Sequence, residues 1–82
     1  EYTFYENAGI AYNLAENYEK ASYFFDKVIY EFNPGIGKAE FYKGVMLVKI
    51  GSQIEGCKYI KKALELNYSG TGSQQVFMNL CN

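Results

Sequence analysis

The chain has 82 residues, eight of them Lys and none Arg or His, against nine acidic residues, for a net charge of −1. That balance excludes strong electrostatic attraction to nucleic acid or an anionic membrane surface. Without His or Arg there is no imidazole to act as base or zinc ligand and no bidentate fork for phosphate.

The chain opens at Glu1 in the middle of an apolar pattern, with no Met and no leader, which reads as an excised piece or a processed chain. Tyr5, Ala8, Gly9, Tyr12 and Ala15 then form a stripe of helical period, and the spacing predicts a helix over about 3–15. Ala15 to Asn17 is a short turn, with Asn17 placed to cap the next helix. That helix, about 18–32, carries Ala21, Phe24, Phe25, Val28, Ile29 and Phe32 on one face. Asn33-Pro34-Gly35-Ile36-Gly37 breaks it, because proline blocks the helix before it and glycine permits positive φ.

The second half repeats the scheme. Phe41, Gly44, Val45 and Val48 share a helix over about 37–50, stopped by Gly51. Ser52 and Glu55 have capping-box spacing and open a helix over about 53–66, with Gly56, Cys57, Ile60, Ala63 and Leu64 inward and Lys61 and Lys62 toward solvent. A shift of 35 aligns Gly9 with Gly44, Ile10 with Val45, Ala21 with Gly56, and Phe25 with Ile60. The small residues fall where two helices need to approach closely, and self-similarity at this period marks a repeat array. After Ser69-Gly70-Thr71-Gly72, a short helix over about 72–81 places Val76, Phe77, Leu80 and Cys81 to cap the second hairpin. The expected organisation is one all-α domain: repeat 1 over about 2–34, repeat 2 over about 37–68, then the capping helix.

These residues resemble the tetratricopeptide repeat (TPR) family, whose pattern runs W-x2-L-G-x2-Y, a Gly turn, A-x3-F-x2-A and a closing Pro. The first copy matches at Tyr5, Ala8, Gly9, Tyr12, Ala21, Phe25, Val28 and Pro34, the second at Gly44, Leu47, Gly51, Gly56, Ile60 and Ala63. The first copy departs at Glu16, in place of the turn glycine, and is one residue long before Pro34. The second has Glu40 at the large aromatic position and Lys43 at the leucine position. The Gly56-Cys57 step, the run Lys61 to Leu66 and the closing Leu80-Cys81 are similar to the last repeat of bacterial exported TPR proteins. The resemblance implies a right-handed superhelix of two antiparallel hairpins and a concave groove lined by the first helix of each pair. Groove positions fall on Thr3, Glu6, Ile10, Asn13 and Leu14, and on Lys38, Phe41, Val45, Val48 and Lys49. For Ile10, Phe41, Val45 and Val48, packing against neighbouring helices competes with that role. Glu6 and Ile10 stand where the family's carboxylate clamp needs Lys and Asn, so an apolar-anchored, slightly acidic segment suits Lys38 and Lys49 better.

Cys57 and Cys81 are the only cysteines. They form a disulfide pinning the last helix, or sit reduced as small apolar residues, or supply a reactive thiol; the last has no His or Arg to lower its pKa. A disulfide favours an oxidising compartment such as a periplasm or cell surface. The carboxylates, Asp26 and eight Glu, are spread along the helices with no pair bracketed by other catalytic groups, so no enzyme is expected. No cofactor or metal is expected either. Tyr23, Tyr30 and Tyr59 are the aromatics left for an exposed face, but without Arg they do not suggest a nucleic-acid platform. The expected function is a protein-protein interaction scaffold holding a peptide or helix of a partner. The alternative is a structural role, in which a face bearing Tyr2, Phe4 and Tyr5 packs against upstream repeats of a longer repeat protein or against another copy in a homo-oligomer.

Overall fold

The computed structural model describes residues 1–81. They form five α-helices and no strand: α1 (Tyr2–Leu14), α2 (Tyr18–Asp26), α3 (Lys38–Lys49), α4 (Gln53–Glu65) and α5 (Ser73–Cys81). A π-helical segment, Lys27–Phe32, continues α2, and a 3-10 turn, Gly70–Gly72, precedes α5. α1 pairs with α2 and α3 with α4; α2 leans on α3, and α5 lies against α4. The all-α class and the order of helices read from the periodicity are what the structure has.

Both hairpins turn in the same way. The Asn17 amide donates to the Tyr12 carbonyl at 2.9 Å and the Ser52 amide to the Leu47 carbonyl at 2.8 Å, each six residues back to one. The residue before each donor is left-handed, Glu16 with φ 61° and Gly51 with φ 100°. This is a Schellman close, which satisfies carbonyls that the helix end leaves open. The Asn17 side chain caps α2, accepting from the Lys20 amide at 3.3 Å. The capping box expected at Ser52 and Glu55 does not form, since Ser52 makes no side-chain cap. Its amide, which Glu55 would accept from, is already given to Leu47.

The helix expected to be α throughout 18–32 changes to π at Lys27. The two halves differ here by one residue: Glu16 precedes the left-handed Asn33 by 17 positions, whereas Gly51 precedes the left-handed Asn67 by 16. A π turn bonds five residues back and so takes up the extra residue without ending the helix; the Asn33 amide reaches Val28 at 2.7 Å.

Two apolar clusters share α3. Ala21, Phe25, Val28, Ile29, Ala39 and Met46 form the first, and Phe41, Ile60 and Ala63 the second, with Tyr42 packed against both. Val76, Phe77 and Leu80 of α5 close the second cluster. The helices of a pair meet at small residues. A Cβ on Gly44 would stand 2.6 Å from the Gly56 carbonyl oxygen, and one on Gly56 at 2.6 Å from that of Gly44. A disulfide joins Cys57 of α4 to Cys81 of α5. Gln53 adds a side-chain hydrogen bond to the Leu80 carbonyl at 2.9 Å. No described helix is long and apolar enough to cross a membrane.

Candidate functional site

The residues expected to line a groove on α1 and α3 are mostly covered. Glu6 and Phe41 are buried, each 4% exposed. Phe41 packs on Tyr68, ring centroids 5.2 Å apart, and on the second cluster, so it belongs to the core rather than to a groove. Ile10 rests on the first cluster and Val45 and Val48 on the second. Asn13 is half-buried, with its Oδ1 enclosed and unbonded among the described residues. Lys38 is half-buried, while Thr3, Leu14 and Lys49 are exposed. Two of these ten residues are thus buried, five half-buried and three exposed.

An open cleft of about 790 Å³ lies instead between the hairpins, where the π segment faces α4. Ile29, Tyr30 and Asn33 form one wall, and Ile54, Glu55, Lys58, Tyr59 and Lys62 the other. Glu40, at the start of α3, lines it from below, 6% exposed. The repeat register explains why the space is there. Position 40 is the 35-residue equivalent of Tyr5, and position 59 that of Phe24. In the first hairpin the ring of Tyr5 stacks on Phe24 with centroids 6.0 Å apart. In the second, a carboxylate replaces that ring beside Tyr59, and the volume stays open.

The cleft's polar groups are ordered by their partners. The hydroxyls of Tyr30 and Tyr59 are hydrogen-bonded at 2.5 Å. That bond, with some burial, pushes the Tyr30 phenol up to about 12. Lys43, the other charged residue at an apolar position of the repeat pattern, is 7% exposed, pairs with Asp26 of α2 and holds its Nζ 4.8 Å from the Tyr59 ring centre. Burying a charge costs free energy unless it is paired, and the Asp26 partner offsets that cost across the hairpin interface. Glu40 has no hydrogen bond or ion pair among the described residues; it sits in the first turn of α3, where the helix dipole favours a carboxylate. Glu6 of α1 is close enough to feel it. Burial raises the Glu6 pKa above 4.5, the Lys38 charge lowers it and the Glu40 charge raises it.

A second exposed feature lies on the first hairpin. Tyr5 contacts Phe4, Phe24 and Phe32, and Phe24 contacts Tyr12 and Tyr23, with centroids 5.2 to 6.0 Å apart. Phe4 is 68% exposed at the edge of this ladder. Lys20 and Lys27 lie over the rings of Tyr12 and Tyr5 at 5.4 and 5.3 Å.

Sequence reasoning missed the cleft, although it noted both halves of the signal. Glu40 and Lys43 broke the repeat at apolar positions, and Tyr30 and Tyr59 were left over as exposed aromatics. What was lacking was the lean of one hairpin on the other, which brings these four together. Comparison with family models, with curated proteins and with solved structures finds no match to this chain.

Proposed function

We propose that the chain is a non-catalytic protein-interaction module that takes a peptide or helix of a partner in the cleft between its hairpins. The single observation that supports this is the cleft itself, about 790 Å³ with apolar and aromatic walls and a charged rim. That is the size and make-up of a recognition pocket. The hairpins stack as a TPR-like right-handed superhelix in this reading, and the disulfide suits an oxidising compartment such as a periplasm or cell surface. Peptides selected against the protein from a random display library test the reading. They should lose binding to Ile54→Asp, which charges the α4 wall, and keep binding to Lys49→Glu on the α1–α3 strip. The reverse pattern would return the site to the strip, and a library yielding no binder would end the reading.

The aromatic ladder favours a second reading, self-association. Phe4, Tyr5, Phe24 and Phe32 offer a second copy a continuous apolar face of the kind that marks interaction sites. Light scattering over a range of concentrations separates the two. A mass that doubles with concentration, and returns to monomer in Phe4→Asp, supports self-association; a constant monomer removes it.

A further inference from the structure

We propose that the occupant of the cleft is a basic side chain of a partner peptide, carried next to an acidic group. The inference rests on the cleft being the docking site and adds the chemistry of what docks.

The floor sets the first requirement. Glu40 is nine-tenths buried, lines the cleft, and has no hydrogen bond or ion pair among the described residues. The cations near it are committed or compromised. Lys43 is tied to Asp26 and to the face of Tyr59. Lys38 acts on Glu6, a second buried carboxylate that Glu40 also repels. No cation is paired with Glu40 among the described residues, so its carboxylate stays without a mate in the cleft. A purely apolar partner helix would seal that carboxylate away from water without a mate, which is the costliest way to bury it. An anion would meet it head on. A guanidinium or ammonium group supplies the missing hydrogen bonds and charge.

The walls and rim set the rest. Ile29 and Ile54 give apolar surface for the methylene stem of a long basic side chain. The Tyr30 ring is 66% exposed and free to receive a cation on its face, since Lys43 takes that role only on Tyr59. At the mouth, Lys58 and Lys62 are exposed and make no ion pair among the described residues. A lone cation would be repelled there, whereas one accompanied by a carboxylate finds both charges answered. The exposed residues of the lining, Lys58 and Lys62 against the single carboxylate Glu55, carry a net positive charge over the buried Glu40, and that ordering selects the pair.

The test uses the whole chain, its disulfide intact, and small probes followed by amide NMR shifts. N-acetyl-arginine carries the guanidinium and a carboxylate, N-acetylcitrulline keeps the carboxylate and replaces the guanidinium by an uncharged urea of the same shape, and N-acetylargininamide lacks the carboxylate. N-acetyl-arginine should move the signals of Tyr30, Tyr59 and Lys58 saturably. N-acetylcitrulline should bind about tenfold more weakly, the usual effect of losing a charge-assisted hydrogen bond. The amide should also bind more weakly than the acid, and Lys58→Ser with Lys62→Ser should erase that difference. Glu40→Gln should erase the preference for arginine over citrulline. Its folding is checked by retained signal dispersion, and should it not fold, the comparison of probes on the parent chain decides alone. Equal binding of arginine and citrulline, or shifts confined to another part of the molecule, overturns the proposal. Shifts in the cleft from N-acetyl-leucine N-methylamide alone overturn the ligand class and leave the docking site standing. No response to any probe overturns both.

Discussion

Glu16 holds a left-handed backbone, φ 61°, that its repeat equivalent Gly51 holds without a side chain. An L residue there is strained by roughly 1 kcal/mol, from the clash of Cβ with the following carbonyl. Glu16→Gly should therefore stabilise the fold by no more than about 0.5 kcal/mol, because the entropy glycine adds to the unfolded chain offsets much of the steric relief. A higher urea midpoint with an unchanged m value is the expected result. At the α1–α3 contact the same scale governs acid response. Burial raises the Glu6 pKa above its ordinary 4.5, so the folded state holds this proton more tightly than the unfolded one. The resulting stabilisation is complete below pH 4.5 and is lost as pH rises through the folded value. Glu6→Gln keeps the shape without the charge. Its advantage over the parent should be larger at pH 7 than at pH 4 in paired urea titrations, and an equal advantage at both would show that Glu6 titrates normally.

Paired helices approach through glycine, and magnitudes decide what a methyl group does there. Gly44→Ala gains about 1 kcal/mol of helix propensity. Against that, its Cβ would lie 2.6 Å from both the Gly56 carbonyl oxygen and Ile60 Cγ1. Backbone cannot step aside as a flexible side chain can, and overpacking costs roughly 1–3 kcal/mol. The variant should lose about 1–2 kcal/mol in thermal or urea unfolding. Gly9→Ala, whose Cβ meets only the Phe25 ring, at 2.7 Å, should lose less. These contacts were legible in the sequence, because the periodicity placed Gly9, Gly44 and Gly56 on the facing sides of paired helices. Asn17 as a cap and Gly51 as a terminator were legible for the same local reason. The π segment was visible only as one residue too many before Pro34. The burial of Phe41 was not legible as such, because a stripe of apolar residues says that a helix is covered without saying by what. Phe41 satisfies the stripe equally well against Tyr68, a residue 27 positions away that no local pattern connects to it.

On the scale of the whole molecule, α3 contributes to both clusters and Tyr42 touches each, so the core of the first hairpin is completed by Ala39 and Met46 of the second. Unfolding of the two should be a single transition. α5 is the exception. Its nine residues are too few to be helical alone, and it depends on Val76, Phe77, Leu80 and the bond from Cys81 to Cys57. Reduction opens a loop of 24 residues, which by chain-entropy arithmetic costs about 3 kcal/mol. Hydrogen exchange after reduction should show the α5 amides losing protection well before those of α3. Simultaneous loss across both would mean the bond supports the whole fold rather than its last helix.

The covalent clasp on α5 also leaves the molecule with two unlike ends. One is shut, with the apolar side of α4 already occupied, and the other is paved with rings. A stack that adds copies head to tail would need the apolar side of α4 that Val76, Phe77 and Leu80 of α5 cover. In the self-association reading, pairing through the paved end would be self-complementary and would use up the surface that made it possible, giving a closed pair.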